Sequence, residues 1–391
     1  MIDMIAILFP SLTKTVRGDD VQSMRADGSG GFPLVSVVDT GAVGPGPQPA
    51  PVNLFPATLA GYAVPGETIT ATPGTWTNTT VQTGQWQRDG VDISGETALT
   101  YTAVQADVLV DITYFETATG PGGTETQPSA AAQDAIAGYA SDPAHIDIFG
   151  AIPETLSPDP TGPFGILPTE TVQRMVGLVH GTSGPELVQA TITQRPAYQV
   201  VAGVRGLAFD GGNDALIHAG TGLASRLAVN WSCEISVTAR RAASTQPVWG
   251  TALSSNSTPF QRCANIAGSG SVPGASNVRT TIRADNNSSS TCVMTSSRQA
   301  VGTTWALRLS LRRTPTDQEI TEVQPDSGTN TDSVGSVVTQ DRIAMGAFAT
   351  PTGVTGYINA IIHAVAYWDN GTPTALSVAS ARALFTHWGM P

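Results

Sequence analysis

What most constrains this chain is its punctuation: short runs of alternating apolar and polar residues, cut again and again by turn-forming residues. Its 391 residues include 41 Gly and 27 Pro. Thr, Ser, Ala and Val fill much of the space between them. The clearest run is Trp305 to Arg312, where Trp305, Leu307, Leu309 and Leu311 share one face and Ala306, Arg308, Ser310 and Arg312 the other. Period-two alternation bounded by turns is the signature of strands that bury one face. Trp231 to Arg240 repeats it, with Cys233, Ile235 and Val237 set against Ser232, Glu234 and Ser236. Ile343 to Phe348 and Tyr357 to Trp368 are apolar on both faces, which predicts strands covered on both sides. Val204 to Ile217 reads as a hairpin, its turn Asp210-Gly211-Gly212-Asn213-Asp214 supplying the positive-φ positions at little steric cost. The period changes only at the C-terminus. There Thr374, Val378, Ala381, Leu384 or Phe385, and Trp388 recur at helical spacing before Gly389, predicting a closing helix.

Composition narrows the partners. An apolar fraction of 40% suffices for real cores,. A net charge of −12 argues against sequence-independent nucleic-acid binding, which needs basic surface to displace counterions,. No apolar run reaches the ~20 residues of a spanning helix. The opening Met1 to Pro10 is apolar but carries Asp3 and no basic start, a poor signal peptide. Cys233, Cys263 and Cys292 cannot all pair within one chain and lack metal-ligand spacing, which fits folding in a reducing cytoplasm.

The seams follow from Pro/Gly-rich stretches. Residues 1–53 read as an arm, either an anchor or a strand docked on its own chain, with strands expected at Ile5–Leu12 and Phe32–Val38, ending in the linker Gly41–Asn53. Residues 54–128 carry about seven short strands, 129–144 a linker with a short helix on an Ala-rich background, and 145–391 one large β-rich domain. The fold class is therefore all-β.

Two resemblances add to this. Pro73-Gly74-Thr75-Trp76, Gln85-Trp86-Gln87-Arg88-Asp89-Gly90, Ile93-Ser94-Gly95 and Tyr101-Thr102 resemble bacterial and phage immunoglobulin-like modules. That resemblance implies a small sandwich with Trp86 in its core, acting as a spacer. The chain departs from antibody-type domains by lacking disulfide cysteines. From His180-Gly181-Thr182-Ser183-Gly184 through Arg195-Pro196, Gly206 to Asp214, Gly346-Ala347-Phe348, Gly356 to Ile361 and Tyr367-Trp368-Asp369, residues 145–391 resemble concanavalin A-like (laminin G-like) jelly-roll domains. Together the modules resemble phage or gene-transfer-agent head spike and fibre proteins. The resemblance implies a virion surface protein, folded in the host cytoplasm, attached to other virion proteins through residues 1–50, homo-oligomeric, and binding host cell-surface polysaccharide.

Sugar recognition needs an aromatic face beside groups that bond hydroxyls. Trp368-Asp369-Asn370 offers both in consecutive residues, and Trp249 and Phe260 flank a long Ser/Thr/Asn loop. The alternative for these aromatics is sealing the sandwich. Asp210, Asn213 and Asp214 present oxygen ligands of the kind Ca²⁺ takes; the competing reading is a turn whose side chains bond their own backbone. No other cofactor is expected. No catalytic residue is assigned: a Glu-x-Asp-x-Glu-like strand pattern, Gly-x-Ser-x-Gly, a phosphate loop and a metal cluster are all missing. A non-enzymatic binder is expected, with a purely structural decoration protein or a bacterial adhesin as the alternative.

Overall fold

In the computed structural model, the alternating runs form the strands that their periods predict. The structure describes residues 46–132, 134–219, 223, 226–227, 231–240, 246–252, 262–267, 276–283, 289–296, 304–313, 317–324, 328–333, 342–350, 353–369 and 372–390. The arm strands expected at 5–12 and 32–38 lie outside them, as do Phe260 and Asn370. Pro49–Pro391 forms one compact unit.

The first part of that unit is a small antiparallel sandwich. Val91–Asp92, Val81–Arg88, Ile112–Gly120 and Gly123–Pro128 form one sheet, and Thr58–Ala60, Thr68–Thr72 and Thr100–Thr102 another. Between them Trp86 is fully buried with Ile69, Ala71, Tyr101, Ile112 and Tyr114. Its indole N–H donates to Ala98 O at 2.7 Å, so the ring is buried without an orphaned donor,. Buried Asp107 accepts from Arg88 Nε, Tyr101 Oη and Val104 N, closing the far end. Gly123–Pro128 closes the first sheet at one edge. It is an edge strand, exposed along most of its length, and a strand polar on both faces shows no alternation to find,.

The large part is a two-sheet antiparallel sandwich. In one sheet the order is Ala197–Val201, Val204–Asp210, Asn359–Trp368, Trp231–Arg240, Thr304–Arg313, Asp317–Gln324 and Gly328–Ser333, with His145–Gly150 also paired to Asn359–Trp368. The facing sheet has nine strands among the described residues, running from Leu156–Ser157 to Ser289–Ser296. Leu307, Leu309 and Leu311 fill the space between the sheets with Cys233, Ile235, Val237, Met175, Leu216 and Ile343.

The strand Asn359–Trp368 is apolar on both faces because its second face is roofed. Helix α1 (Ala135–Ala140) and helix α2 (Ala375–His387) cover Ala364, Ala366 and Trp368 with Ile136, Tyr139, Ala381, Leu384 and Phe385. Thr374 caps α2, its hydroxyl accepting from Ser377 N at 3.2 Å,. Gly389, at φ 68°, ends it: its N–H bonds Thr386 O, and Met390 N–H bonds Phe385 O. That pair of bonds is a Schellman stop, a conformation that costs glycine nothing. Helix α1 lies in the stretch expected to be a linker. Asp134 caps it, and Tyr139 is buried.

The roof also joins the two sandwiches. Val64, from the small one, is buried in the cluster with Leu178, Trp388 and the helices. Glu67 reaches Arg205 at 3.5 Å and His387 at 3.2 Å, and Gln105 donates to Leu178 O.

Candidate functional site

Two of the aromatic residues assigned to sugar contact serve the core instead. Trp249 is fully buried between the sheets, edge-on to Trp231 at 5.1 Å and to Tyr367 at 5.8 Å. Trp368 is equally buried under the helices, and its indole N–H donates to Ser377 Oγ at 2.7 Å. A ring packed on all sides offers no face to a ligand, so both assignments are corrected. Strand-end position cannot distinguish a rim aromatic from one covered by a helix that arrives later in the chain.

In the Asp210–Asp214 turn, Asp210 Oδ1 accepts from Gly212 N at 2.6 Å and Asn213 N at 3.3 Å. Asp214 Oδ2 accepts from Asp210 N at 2.9 Å. Burial, with the charge of Asp210 adding, pushes the Asp214 carboxyl up to about 6. Both carboxylates are thus engaged by the turn's own backbone. Among the described residues no three His, Cys, Asp or Glu side chains converge as a metal cluster.

Asp369 is the one proposed ligand contact among the described residues that stands at the surface. It sits where Asn359–Trp368 ends beside His145, and its N–H donates to Ala144 O. Arg226 Nε donates to Asp369 Oδ2 at 2.8 Å, and its NH2 donates to His145 O at 2.9 Å. The Arg226 and Asp369 side chains remain about a third exposed, at 38% and 33%.

The same rim holds residues that sequence patterns did not single out. The pairing of His145–Gly150 slips between His145 and Asp147, so Ile146 faces the intersheet core and Ile148 the helices. Such a bulge re-aims the side chain beside it. The Asp147 carboxylate, fully buried, accepts from Ile148 N, Val179 N, His180 N and His180 Nδ1, the last at 3.0 Å. Gly177 leaves the space that this carboxylate occupies; a Cβ there would collide with it. The bond to Asp147 is the main cause raising the His180 pKa. His180 stacks on His145, with ring centroids 5.4 Å apart and planes at 10°, and stays 39% exposed. The site is therefore a half-exposed rim of one guanidinium, one carboxylate and two imidazoles on a buried, fully bonded frame. The only hint in the sequence was His145 and Asp147 two positions apart on a strand, too common a pair to single out.

A concavity lies on the small sandwich. It is a cleft of about 600 Å³ lined by Gln82, Thr83, Thr97, Leu99, Tyr114 and Glu116. Its carboxylate is already committed, since Glu116 accepts from Gly74 N, Trp76 Nε1 and Gln82 Nε2.

No family model matches this chain, and no curated protein matches it. Among solved structures, a Ruminococcus gnavus IT-sialidase CBM40 bound to alpha2,3 sialyllactose is similar at 10% identity and TM-score 0.31, over 39% of this chain and 83% of that one. A botulinum neurotoxin DC binding domain in complex with SialylT is similar at 10% identity and TM-score 0.36, over 52% of this chain and 50% of that one. The NanB sialidase of Streptococcus pneumoniae is similar at 12% identity and TM-score 0.31, over 39% of this chain and 23% of that one. With TM-scores this low, function is argued from the chain's own residues.

Proposed function

We propose that this chain is a non-enzymatic surface protein of a phage or phage-like particle, and that its large sandwich binds host cell-surface polysaccharide at the Arg226–Asp369 rim. The observation that carries this reading is the rim itself: a guanidinium and a carboxylate, a third exposed, on a frame of buried bonds. Paired donors and acceptors held in place can bond vicinal hydroxyls without the ordering cost of free side chains. The joined sandwiches support it as well, because they hold the rim on a single body. The resemblance of the sequence to spike and fibre proteins supplies the particle context, with residues 1–50 as the attachment and more than one copy assembled.

The particle role is tested by deleting residues 1–50. The truncated protein is expected to fold yet fail to enter particles, and normal incorporation would refute the attachment. The binding role is tested with isolated capsule or lipopolysaccharide. Arg226→Ala is expected to weaken binding and leave polysaccharide chain length unchanged. Retention in particles with no saccharide binding would instead favour a decoration protein.

A further inference from the structure

The small sandwich leaves a strand edge open beside its cleft. Along Val81–Arg88, Trp86 turns its backbone away from Ile112–Gly120: its N–H donates to Glu96 O and its carbonyl accepts from Ile93 N. Backbone groups repeat their direction at every second residue of a strand, so the N–H and C=O of Gly84 face the same way. Among the described residues no strand meets them there. Val91–Asp92 pairs with Gln87 and Arg88 and goes no further, and the chain then crosses to the other sheet, where Leu99 O accepts from Ala71 N. Gly84, Leu99, Pro73 and Tyr114 all line the cleft in the gap this leaves. Tyr114 is only 4% exposed, with its ring packed on Trp86 at 5.1 Å between centroids. Its hydroxyl lies against Gly84, where a Cβ would collide with it, and has no hydrogen-bond partner among the described residues. A buried hydroxyl left unpaired is rare in a folded protein. Burial and the charge of Glu116 raise the phenol above its ordinary pKa, so it is a donor at neutral pH.

We propose that this edge binds an extended peptide of another protein as an added strand, with the peptide backbone bonding Gly84 and a small acceptor side chain bonding the Tyr114 hydroxyl. Strand addition takes its affinity from main-chain bonds and its specificity from pockets for alternate side chains. One ligand residue meets both needs here. Paired across from Gly84, it exchanges backbone bonds with the open edge and turns its side chain to the same face, toward the hydroxyl for which Gly84 makes room,. Ser, Thr or Asn fits that position, being short and able to accept. A saccharide fits less well, because the cleft offers no aromatic face while the Tyr114 ring is packed on Trp86,. The net charge of −12 favours basic residues flanking the peptide,. The competing account is a short, unused edge protected from pairing by an inward-pointing charge, the buried Glu116,.

The test uses the full chain and an end-blocked heptapeptide, Lys-Val-Thr-Val-Thr-Val-Lys, with no saccharide. Amide spectra are expected to show saturable shifts at Gly84 and slowed hydrogen exchange of its N–H. Methylating the two threonine nitrogens of the peptide, which removes the donors facing the edge, should abolish binding. Tyr114→Phe keeps the packed ring and should weaken binding about 3- to 10-fold, the worth of one neutral hydrogen bond. Leu167→Ala, at an exposed leucine of the large sandwich, should leave it unchanged. No binding at millimolar peptide, equal binding of the methylated peptide, or a Tyr114→Phe affinity equal to that of the parent would each overturn the proposal. Shifts at Gly84 caused by maltose and not by the peptide would overturn it in favour of a saccharide cleft. Protection of the Gly84 amide that grows with protein concentration alone would do so in favour of pairing between two copies. Because the readout is at Gly84 and the peptide carries no sugar, these outcomes are separable from failure of the polysaccharide reading.

Discussion

At the scale of single residues, the Asp214 carboxyl is held by burial and by its neighbour Asp210 at about 6, above the ~3.9 of an unfolded aspartate,. The folded state therefore binds the proton more tightly, and this group's contribution to stability is fully present below about pH 4 and lost as pH rises to about 6. Asp214→Asn keeps an oxygen to accept from Asp210 N and removes the charge. Chemical denaturation from pH 4 to 8 should show the parent losing stability relative to the variant across that window and a constant gap above it. A gap independent of pH would contradict the assignment. Trp249 belongs to the same scale. Trp249→Ala should cost about 3–5 kcal/mol in denaturation, as expected for a buried tryptophan, and leave saccharide affinity per folded molecule unchanged. Trp249 and Asp369 also show where reading the chain runs out. Aromatic-plus-polar composition pointed to both, yet only coverage by distant segments decides that one is core and the other surface.

At the scale of elements, α2 is fastened to the sheet by charge as well as by its apolar stripe. Arg382 donates to both oxygens of Glu234, at 3.0 and 2.8 Å, and the Glu234 side chain is only 2% exposed. Burial raises the Glu234 pKa and Arg382 opposes it, so removing that guanidinium leaves the buried carboxylate with only Ser310 and the charge of Arg308 to offset its burial. Arg382→Ala should cost about 3 kcal/mol, the low end for a broken buried pair because Arg382 is partly exposed. Glu234→Gln with Arg382→Ala together should cost less than Arg382→Ala alone. A larger loss in the double variant would contradict the buried-charge account. Helix α2 was readable from its spacing, its Thr374 cap and its Gly389 stop, because all three are local. So were Leu307, Leu309 and Leu311, whose face alternation alone assigns. So, in outline, was helix α1, expected as a short helix on an Ala-rich background within 129–144. The edge strand Gly123–Pro128 was not, being polar on both faces. The rim escaped for a related reason. Its members come from 145–147, 180, 226 and 369, and only strand pairing and a bulge bring them together.

At the scale of the whole molecule, the joint between the sandwiches was hidden because Val64, Glu67, Arg205 and His387 are remote in sequence. It makes the spacer a brace. Val64→Asp places a charge in the cluster under the helices and should split one cooperative thermal transition into two while both sandwiches stay folded. A single transition shifted as a whole would contradict an interface role for Val64. The central claim is that the Arg226–Asp369 rim binds polysaccharide, and equilibrium binding of the full chain to isolated host capsule or lipopolysaccharide tests it most directly. Saturable binding that falls at least tenfold in both Arg226→Ala and Asp369→Ala, with thermal stability retained, is the predicted result; no binding at millimolar saccharide, or binding indifferent to both substitutions, would contradict it.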